Sequence, residues 1–188
     1  MKRSHLDWTR LSLAILSALH LSLSVGFAQE KVDFTTHPFF KLLVGEWKSE
    51  GSLEGRDGNT VKMKEEWRGS VSTEGCFLMK GSRTLNEDKQ EYLWTISFNP
   101  STGLFEAIHE ITSAGGETKR FEASVSEVDL TMELRMNGDG SGSIVVKDSF
   151  PKKHHNTFAS DVILTDSSGM TTLSGTITHE RVQPSTSE

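Results

Sequence analysis

Residues 61–68 have the sequence Val61-Lys62-Met63-Lys64-Glu65-Glu66-Trp67-Arg68, in which apolar and charged side chains alternate. Val61, Met63 and Trp67 share one face with Glu65, and the remaining charged residues lie on the other. Because successive side chains of a β-strand point to opposite faces, this period of two predicts a strand with one buried face. Glu65 is then an acid on the face that otherwise belongs to the core.

Further runs repeat this alternation toward the C-terminus, at residues 92–98, 105–111, 130–136, 158–164 and 173–179. Turn-forming residues separate the strands, at 55–58, 99–103, 115–116, 137–142 and 166–169. Strands at this spacing without a long helix predict an all-β, antiparallel protein, and their direct succession favours an up-and-down β-barrel of about 8–10 strands. The segment from His37 to Leu43 is instead typical of one or two helical turns before the first strand.

The first 28 residues have the features of a secretory signal peptide. Lys2 and Arg3 precede an apolar stretch at residues 11–27, and Gly26 and Ala28 are the small residues expected at positions −3 and −1 of a cleavage site. Serines and a histidine dilute the stretch, which falls short of the ~20 strongly apolar residues of a spanning helix. We expect cleavage after Ala28, export to the periplasm or the medium of a bacterium, and no stable membrane anchor afterwards.

The predicted signal peptide is followed by a polar lead (29–36), one barrel domain (37–182) and a polar, flexible tail (183–188). The formal net charge of the chain is −6. Cleavage would remove three basic residues and one acidic residue, which leaves the exported domain more acidic. Nucleic acids bind proteins mainly through clustered Lys and Arg, so the composition argues against a nucleic-acid partner.

Four polar residues are in phase with the apolar face of their predicted strands: Glu65, His109, Asp148 and His179. A polar side chain on an inner face must pair, be hydrated or contact a ligand. Together with Trp94, these residues predict a lumen that binds a small, partly apolar ligand. One alternative is a structural or interaction module with a filled barrel core, in which the polar residues pair with one another or with Arg181.

A cavity enzyme is the second alternative, and it requires at least two of the four polar residues to converge. Neither Gly-x-Ser-x-Gly nor His-Glu-x-x-His occurs in the sequence. The sequence therefore favours a protein without catalytic residues.

The segment Gly45-Glu46-Trp47, placed after a short helical turn, resembles the opening of calycin barrels, which include the lipocalins, fatty-acid-binding proteins and nitrobindin-like proteins. The resemblance implies that Trp47 closes the barrel floor beside Gly45. It also implies that Arg181, from the last strand, packs across the indole ring in a cation–π contact.

A closer resemblance is to the DUF1579 family of exported bacterial proteins. It spans most of residues 37–182 and is carried by His37-Pro38, Gly45-x-Trp47, Asn99-Pro100-x-x-Gly103 and a last strand that ends near Arg181. The family implies the same barrel, and a fold by itself does not imply a function.

Two cofactors have candidate ligands. Gly45-x-Trp47-x-Ser49-x-Gly51 is similar to the nitrobindin-like pattern, whose members hold ferric haem through a histidine on a late strand, and this implies His179 as the haem ligand, although Ser49 replaces a glycine. Residues 137–148 resemble an EF-hand calcium loop, with the candidate ligands Asn137, Asp139, Ser141 and Asp148. Strand periodicity on both flanks makes a Gly-rich hairpin without metal the alternative, and we favour a domain without a bound cofactor.

Overall fold

The computed structural model describes residues 32–113, 115–138 and 142–183. They form one short helix, α1 (Phe40–Leu43), and ten strands: β1 (Gly45–Gly55), β2 (Thr60–Val71), β3 (Phe77–Leu85), β4 (Asp88–Asn99), β5 (Leu104–Ile111), β6 (Thr118–Ser126), β7 (Thr131–Gly138), β8 (Gly142–Ser149), β9 (Thr157–Thr165) and β10 (Thr171–Arg181). The predicted signal peptide and residues 184–188 of the predicted tail lie outside the described residues. Within those ranges, no helix has the length and apolarity needed to cross a membrane.

The ten strands form a closed antiparallel barrel in the order β1-β10-β9-β8-β7-β6-β5-β4-β3-β2. Each strand pairs with its sequence neighbours, and β1 pairs with β10 from Trp47↔Arg181 to Gly55↔Leu173. Closure leaves no sheet edge with unpaired backbone groups. The prediction of an all-β, up-and-down barrel with a helical turn before the first strand is confirmed, and the strand number is the upper end of the expected range.

Aromatic side chains fill the barrel at the end that carries α1. The rings of Trp47 and Trp67, which are paired across β1 and β2, stack with centroids 5.5 Å apart and planes 12° from parallel. Around them lie the buried rings of Phe34, Phe39, Phe40, Phe77, Phe150 and Phe158. Because these residues lie at the strand ends and in and around α1, they form the floor of the barrel. The interior above the floor is lined by the middle and the far ends of the strands.

Arg181 joins the last strand to the first. Its guanidinium carbon lies 4.4 Å from the centroid of the Trp47 ring, and Nη1 and Nη2 donate hydrogen bonds to the carbonyls of Val44 (2.6 Å) and Leu42 (2.5 Å). Gly45 has a φ of +122°, and a Cβ at this position would lie 2.6 Å from Arg181 Nη1. The structure therefore brings Gly45, Trp47 and Arg181 together where helix, first strand and last strand meet.

Replacing Arg181 by alanine should lower the free energy of unfolding by about 2 kcal/mol, because a cation–π contact and two charge-assisted hydrogen bonds are lost together. The midpoint and slope of urea unfolding measure the change. The matched control is Arg135→Ala, which removes a guanidinium from a solvent-exposed pair with Glu133 and should cost under 1 kcal/mol. Equal effects of the two substitutions would contradict the role assigned to Arg181.

Candidate ligand-binding site

The lumen above the aromatic floor contains a cavity of about 280 Å³. All ten strands contribute lining residues, and the five predicted lumen residues, Glu65, Trp94, His109, Asp148 and His179, are all among them. Aliphatic side chains line the part nearest the hairpins opposite α1, including Leu53, Val61, Leu85, Leu164 and Leu173. The wall therefore combines apolar and ionisable groups, a combination found in ligand pockets.

Five polar residues form a continuous row across neighbouring strands, which we call the polar belt: Glu65, Ser49, His179, Ser160 and Asp148, on β2, β1, β10, β9 and β8. Glu65 pairs across the sheet with Ser49, and Ser49 pairs with His179. Ser160 pairs with Asp148 on the next two strands. The row exists because each of these five strands has an inward-facing polar residue at about the same height in the barrel.

Hydrogen bonds connect four belt residues to the floor. Trp67 Nε1 donates to Ser49 Oγ (3.0 Å), Ser49 Oγ lies 2.6 Å from His179 Nδ1, and His179 Nε2 lies 2.8 Å from Ser160 Oγ. Ser160 Oγ in turn donates to Asp148 Oδ1 at 2.5 Å. An indole N–H only donates and a carboxylate only accepts, so one direction satisfies the whole chain. Ser49 donates to Nδ1 of His179, and the Nε2–H donates to Ser160.

His179 is neutral in this chain. Burial lowers the pKa of His179 to about 3, and the ring stacks on Phe158 with centroids 4.0 Å apart and planes 2° from parallel. Both nitrogens already have partners in Ser49 and Ser160. The neutral imidazole therefore accepts a hydrogen bond at Nδ1 and donates one at Nε2, which links Ser49 to Ser160 without adding a charge.

The two acids of the belt have raised pKa values. Burial raises the pKa of Asp148, whose exposed fraction is 4 %, to about 6, against the lowering effect of the Ser160 hydrogen bond. Burial also raises the pKa of Glu65 to about 7, where Arg83 lowers it and the charge of Asp148 raises it further. Asp148 is thus ionised at neutral pH, and Ser160 is its single hydrogen-bond donor within the described residues.

The opposite wall is aromatic and basic. His109 lies against Trp94, with ring centroids 4.4 Å apart, and burial, followed by the charges of Arg83 and Lys119, lowers the pKa of His109 to about 4. His109 Nε2 has no hydrogen-bond partner in the described part of the chain. Arg83 Nε donates to Gln90 (3.0 Å). A buried imidazole nitrogen without a partner is costly, and a polar ligand atom in the lumen could satisfy it.

The structure joins some of the predicted site residues and separates others. Asp148 and His179 meet through Ser160, which hydrogen-bonds to both. Glu65 and His109 share no hydrogen bond in the described residues. Ser49, Ser160 and Arg83 were not predicted as site residues. Each of the three alternates with a buried aromatic residue of its own strand: Ser49 with Trp47, Ser160 with Phe158 and Arg83 with Phe77. The period of two could therefore have placed all three on the inner face.

Within the described residues, neither cofactor has a ready set of ligands. His179 would have to give up a hydrogen bond from Ser49 or to Ser160 before either nitrogen could ligate haem iron. Of the candidate calcium ligands, Asp139 and Ser141 lie outside the described residues, Asn137 pairs with Ser143, and Asp148 pairs with Met132 inside the barrel. The described residues contain no group of three or more His, Cys, Asp or Glu placed to hold a metal ion. The haem site and the calcium site stay the less favoured hypotheses.

Part of the segment 137–142, predicted as a turn, lies within strands. β7 continues to Gly138 and β8 begins at Gly142, with the pairs Asn137↔Ser143 and Gly138↔Gly142. Gly142 has a φ of +103°, and a Cβ there would lie 1.9 Å from the Thr165 carbonyl oxygen, so this position requires glycine. The polar and glycine residues predicted a turn over the whole segment, but Asn137, Gly138 and Gly142 belong to the β7–β8 ladder.

A shallow groove of about 550 Å³ lies on the outer face of the barrel. Four of its charged side chains form solvent-exposed ion pairs, between Lys48 and Glu66 (3.3 Å) and between Lys64 and Glu50 (3.3 Å). The wall of the lumen instead combines apolar side chains with buried ionisable groups, as ligand pockets do, so the lumen is the stronger candidate site.

No protein-family model and no curated protein matches this sequence. Among solved structures, the S-type phycobiliprotein lyase CPES from Guillardia theta is similar over 78% of this chain and 92% of its own, with 13% identity and a TM-score of 0.56. This likeness shows a shared β-barrel fold and nothing further.

Two further likenesses are weaker and carry no argument about function. A protein of unknown function from the DUF3598 family of Nostoc punctiforme PCC 73102 is similar over 76% of this chain and 48% of its own, with 11% identity and a TM-score of 0.42. The protein EF1p2_mFAP2b bound to DFHBI is similar over 78% of this chain and 98% of its own, with 11% identity and a TM-score of 0.40.

The charge of Asp148 should make stability depend on pH. Its pKa rises from 3.8 to about 6 on folding, so its stabilising contribution is complete below pH 3.8 and is lost as the pH rises through 6. Asp148→Asn should remove this loss, and the variant should gain up to about 3 kcal/mol relative to the unmodified protein between pH 4 and pH 7. Urea unfolding across that range measures it.

The control is Asp161→Asn, since Asp161 is exposed on the outer face of the neighbouring strand β9. Because this carboxyl is exposed, its variant should not show the gain expected of Asp148→Asn. Equal pH dependence of the two variants would contradict the raised pKa assigned to Asp148.

Proposed function

We propose that this barrel binds a small, partly apolar molecule in its lumen. The observation that carries the proposal is the cavity of about 280 Å³ whose wall includes a buried imidazole nitrogen, His109 Nε2, without a hydrogen-bond partner in the described residues. The volume lies just below the span of about 300–1,000 Å³ typical of ligand pockets. The ligand is correspondingly small.

The distribution of polarity supports an amphipathic ligand. The polar belt lies directly above the Trp47 and Trp67 rings, and the aliphatic side chains of Leu53, Leu164 and Leu173 lie toward the far ends of their strands. A molecule with one polar end and an apolar body would match both zones. Burial of its apolar surface would provide affinity, and the belt would fix its orientation.

A filled barrel core is the less favoured alternative. In such a core the inward polar residues would pair with one another, and His109 and one oxygen of Asp148 do not. A cavity enzyme has one supporting observation, the chain from Ser49 through His179 and Ser160 to Asp148. The low pKa of His179 argues against it, since a general base works best with a pKa near the ambient pH.

The finer parts of the proposal rest on the sequence. Residues 1–28 support export, with the ligand met in the periplasm or outside the cell. The resemblance to the DUF1579 family, carried by Gly45-x-Trp47 and Asn99-Pro100-x-x-Gly103, supports membership of that group of exported proteins. The acidic composition supports a small molecule over a nucleic acid as the partner.

A neutral, apolar fluorescent probe tests whether the lumen is accessible. N-phenyl-1-naphthylamine should bind the unmodified protein with enhanced emission, and Val146→Trp should reduce its affinity at least ten-fold, because Val146 lines the cavity and an indole there would occupy it. A fluorescence titration at fixed protein concentration measures both.

The control is Val145→Trp. Val145 precedes Val146 on β8, and its side chain therefore points to the outer face. This variant should bind the probe as the unmodified protein does. Equal binding by both variants, or no binding to the folded unmodified protein, would rule out a ligand-accessible lumen.

A further inference from the structure

We propose that the ligand of the lumen carries a cationic amine, which binds beside Asp148 with the apolar body of the ligand against the aromatic wall. This inference rests on the proposed function and adds the chemical class of the ligand. It depends on two observations: the basic side chains of the lumen lie near acidic ones, whereas the carboxylate of Asp148 has no basic partner within the described residues.

Within the described residues, Asp148 has no counter-charge. Its side chain is 4 % exposed and lines the cavity, and one of its oxygens accepts from Ser160 while the other has no partner within the described residues. No basic side chain is among the groups that perturb its ionisation. A buried carboxylate is stable only with compensating charge or several hydrogen bonds, so this oxygen is a place for a donor from outside the chain.

Each basic group of the lumen has an acidic side chain nearby. Arg83 lies opposite Glu65 on the neighbouring strand and favours its ionised form, and Arg83 Nε donates a hydrogen bond to Gln90. Lys119 forms an ion pair with Glu117 at 3.0 Å. An anionic ligand would therefore compete with existing partners and add to the negative charge near Asp148, whereas a cation would neutralise it.

Glu65 strengthens the preference for a cation. It lies on β2, four positions around the barrel from the β8 strand of Asp148, and the two acids repel each other across the polar belt. A cationic group in the space that they face would relieve this repulsion. An ammonium group has only donors to offer, which suits carboxylate oxygens that lack donors.

The opposite wall suits an aromatic or otherwise flat apolar body. Trp94 packs against His109 (4.4 Å) and Phe121 (5.0 Å), and all three residues line the cavity. Ring faces of this kind also attract nearby cations. His109 Nε2, which lacks a partner in the described residues, adds a polar contact on this side.

Three probes with the same ten-carbon skeleton test the inference: 4-phenylbutylamine, 4-phenylbutanol and 4-phenylbutanoate. Calorimetric titration at pH 7.5 keeps the amine protonated and Asp148 ionised. We expect the amine to bind at least ten-fold more tightly than the alcohol, and the carboxylate to bind most weakly. Asp148→Asn should remove the preference for the amine, so that the affinities for the amine and the alcohol agree within about three-fold. These fold-changes correspond to about 1.4 kcal/mol for each factor of ten.

The matched control is Glu66→Gln, which neutralises an exposed acid on the outer face of β2. It should leave the affinities for all three probes unchanged. Equal binding of the amine and the alcohol, tighter binding of the carboxylate, or binding of N-phenyl-1-naphthylamine without binding of any of the three probes would each overturn the cationic ligand and leave the proposed function standing. Failure of N-phenyl-1-naphthylamine and of all three probes to bind would overturn both.

Discussion

The pairing of β1 with β10 is the contact on which the rest of this structure depends. An open ten-stranded sheet would expose two edges and would not enclose a volume. The nine residue pairs from Trp47↔Arg181 to Gly55↔Leu173 close the sheet, and the Arg181 guanidinium ties the last strand to the carbonyls of Leu42 and Val44. Because the sheet is closed, one face of every strand points into the barrel and the other points outward. Inward residues from strands far apart in the chain therefore share one lumen.

Closure also explains why the polar belt has its particular electrostatics. Glu65 and Asp148 are separated by more than eighty residues in the sequence, yet their strands are connected through β1, β10 and β9. The hydrogen-bond chain that starts at Trp67 and ends at Asp148 has one consistent direction, with every donor oriented toward the carboxylate. This arrangement stabilises a negative charge in the lumen without supplying a positive one. This side of the lumen therefore has a defined sign of charge.

Much of the fold and part of the site could be predicted from the sequence. Alternation placed Glu65, Trp94, His109, Asp148 and His179 on inner faces, and the structure finds all five on the cavity wall. Ser49 and Ser160 were not predicted as site residues because serine occurs on either face of a strand. Their role depends on hydrogen bonds to His179, which lies on another strand. Arg83 was not predicted because an arginine in a strand is usually outward. The electrostatic repulsion between Glu65 and Asp148 depends on strand order and closure, which no local pattern encodes.

Native mass spectrometry of protein purified from the cells that produce it tests whether the lumen holds a small molecule. Protein from the unmodified chain and from the Val146→Trp variant would be compared before and after denaturation. We expect a single extra small-molecule mass on the unmodified protein, lost on denaturation and missing from the variant, in which an indole fills the cavity. The same extra mass on both proteins, or a bare polypeptide mass for the unmodified protein under native conditions, would contradict it.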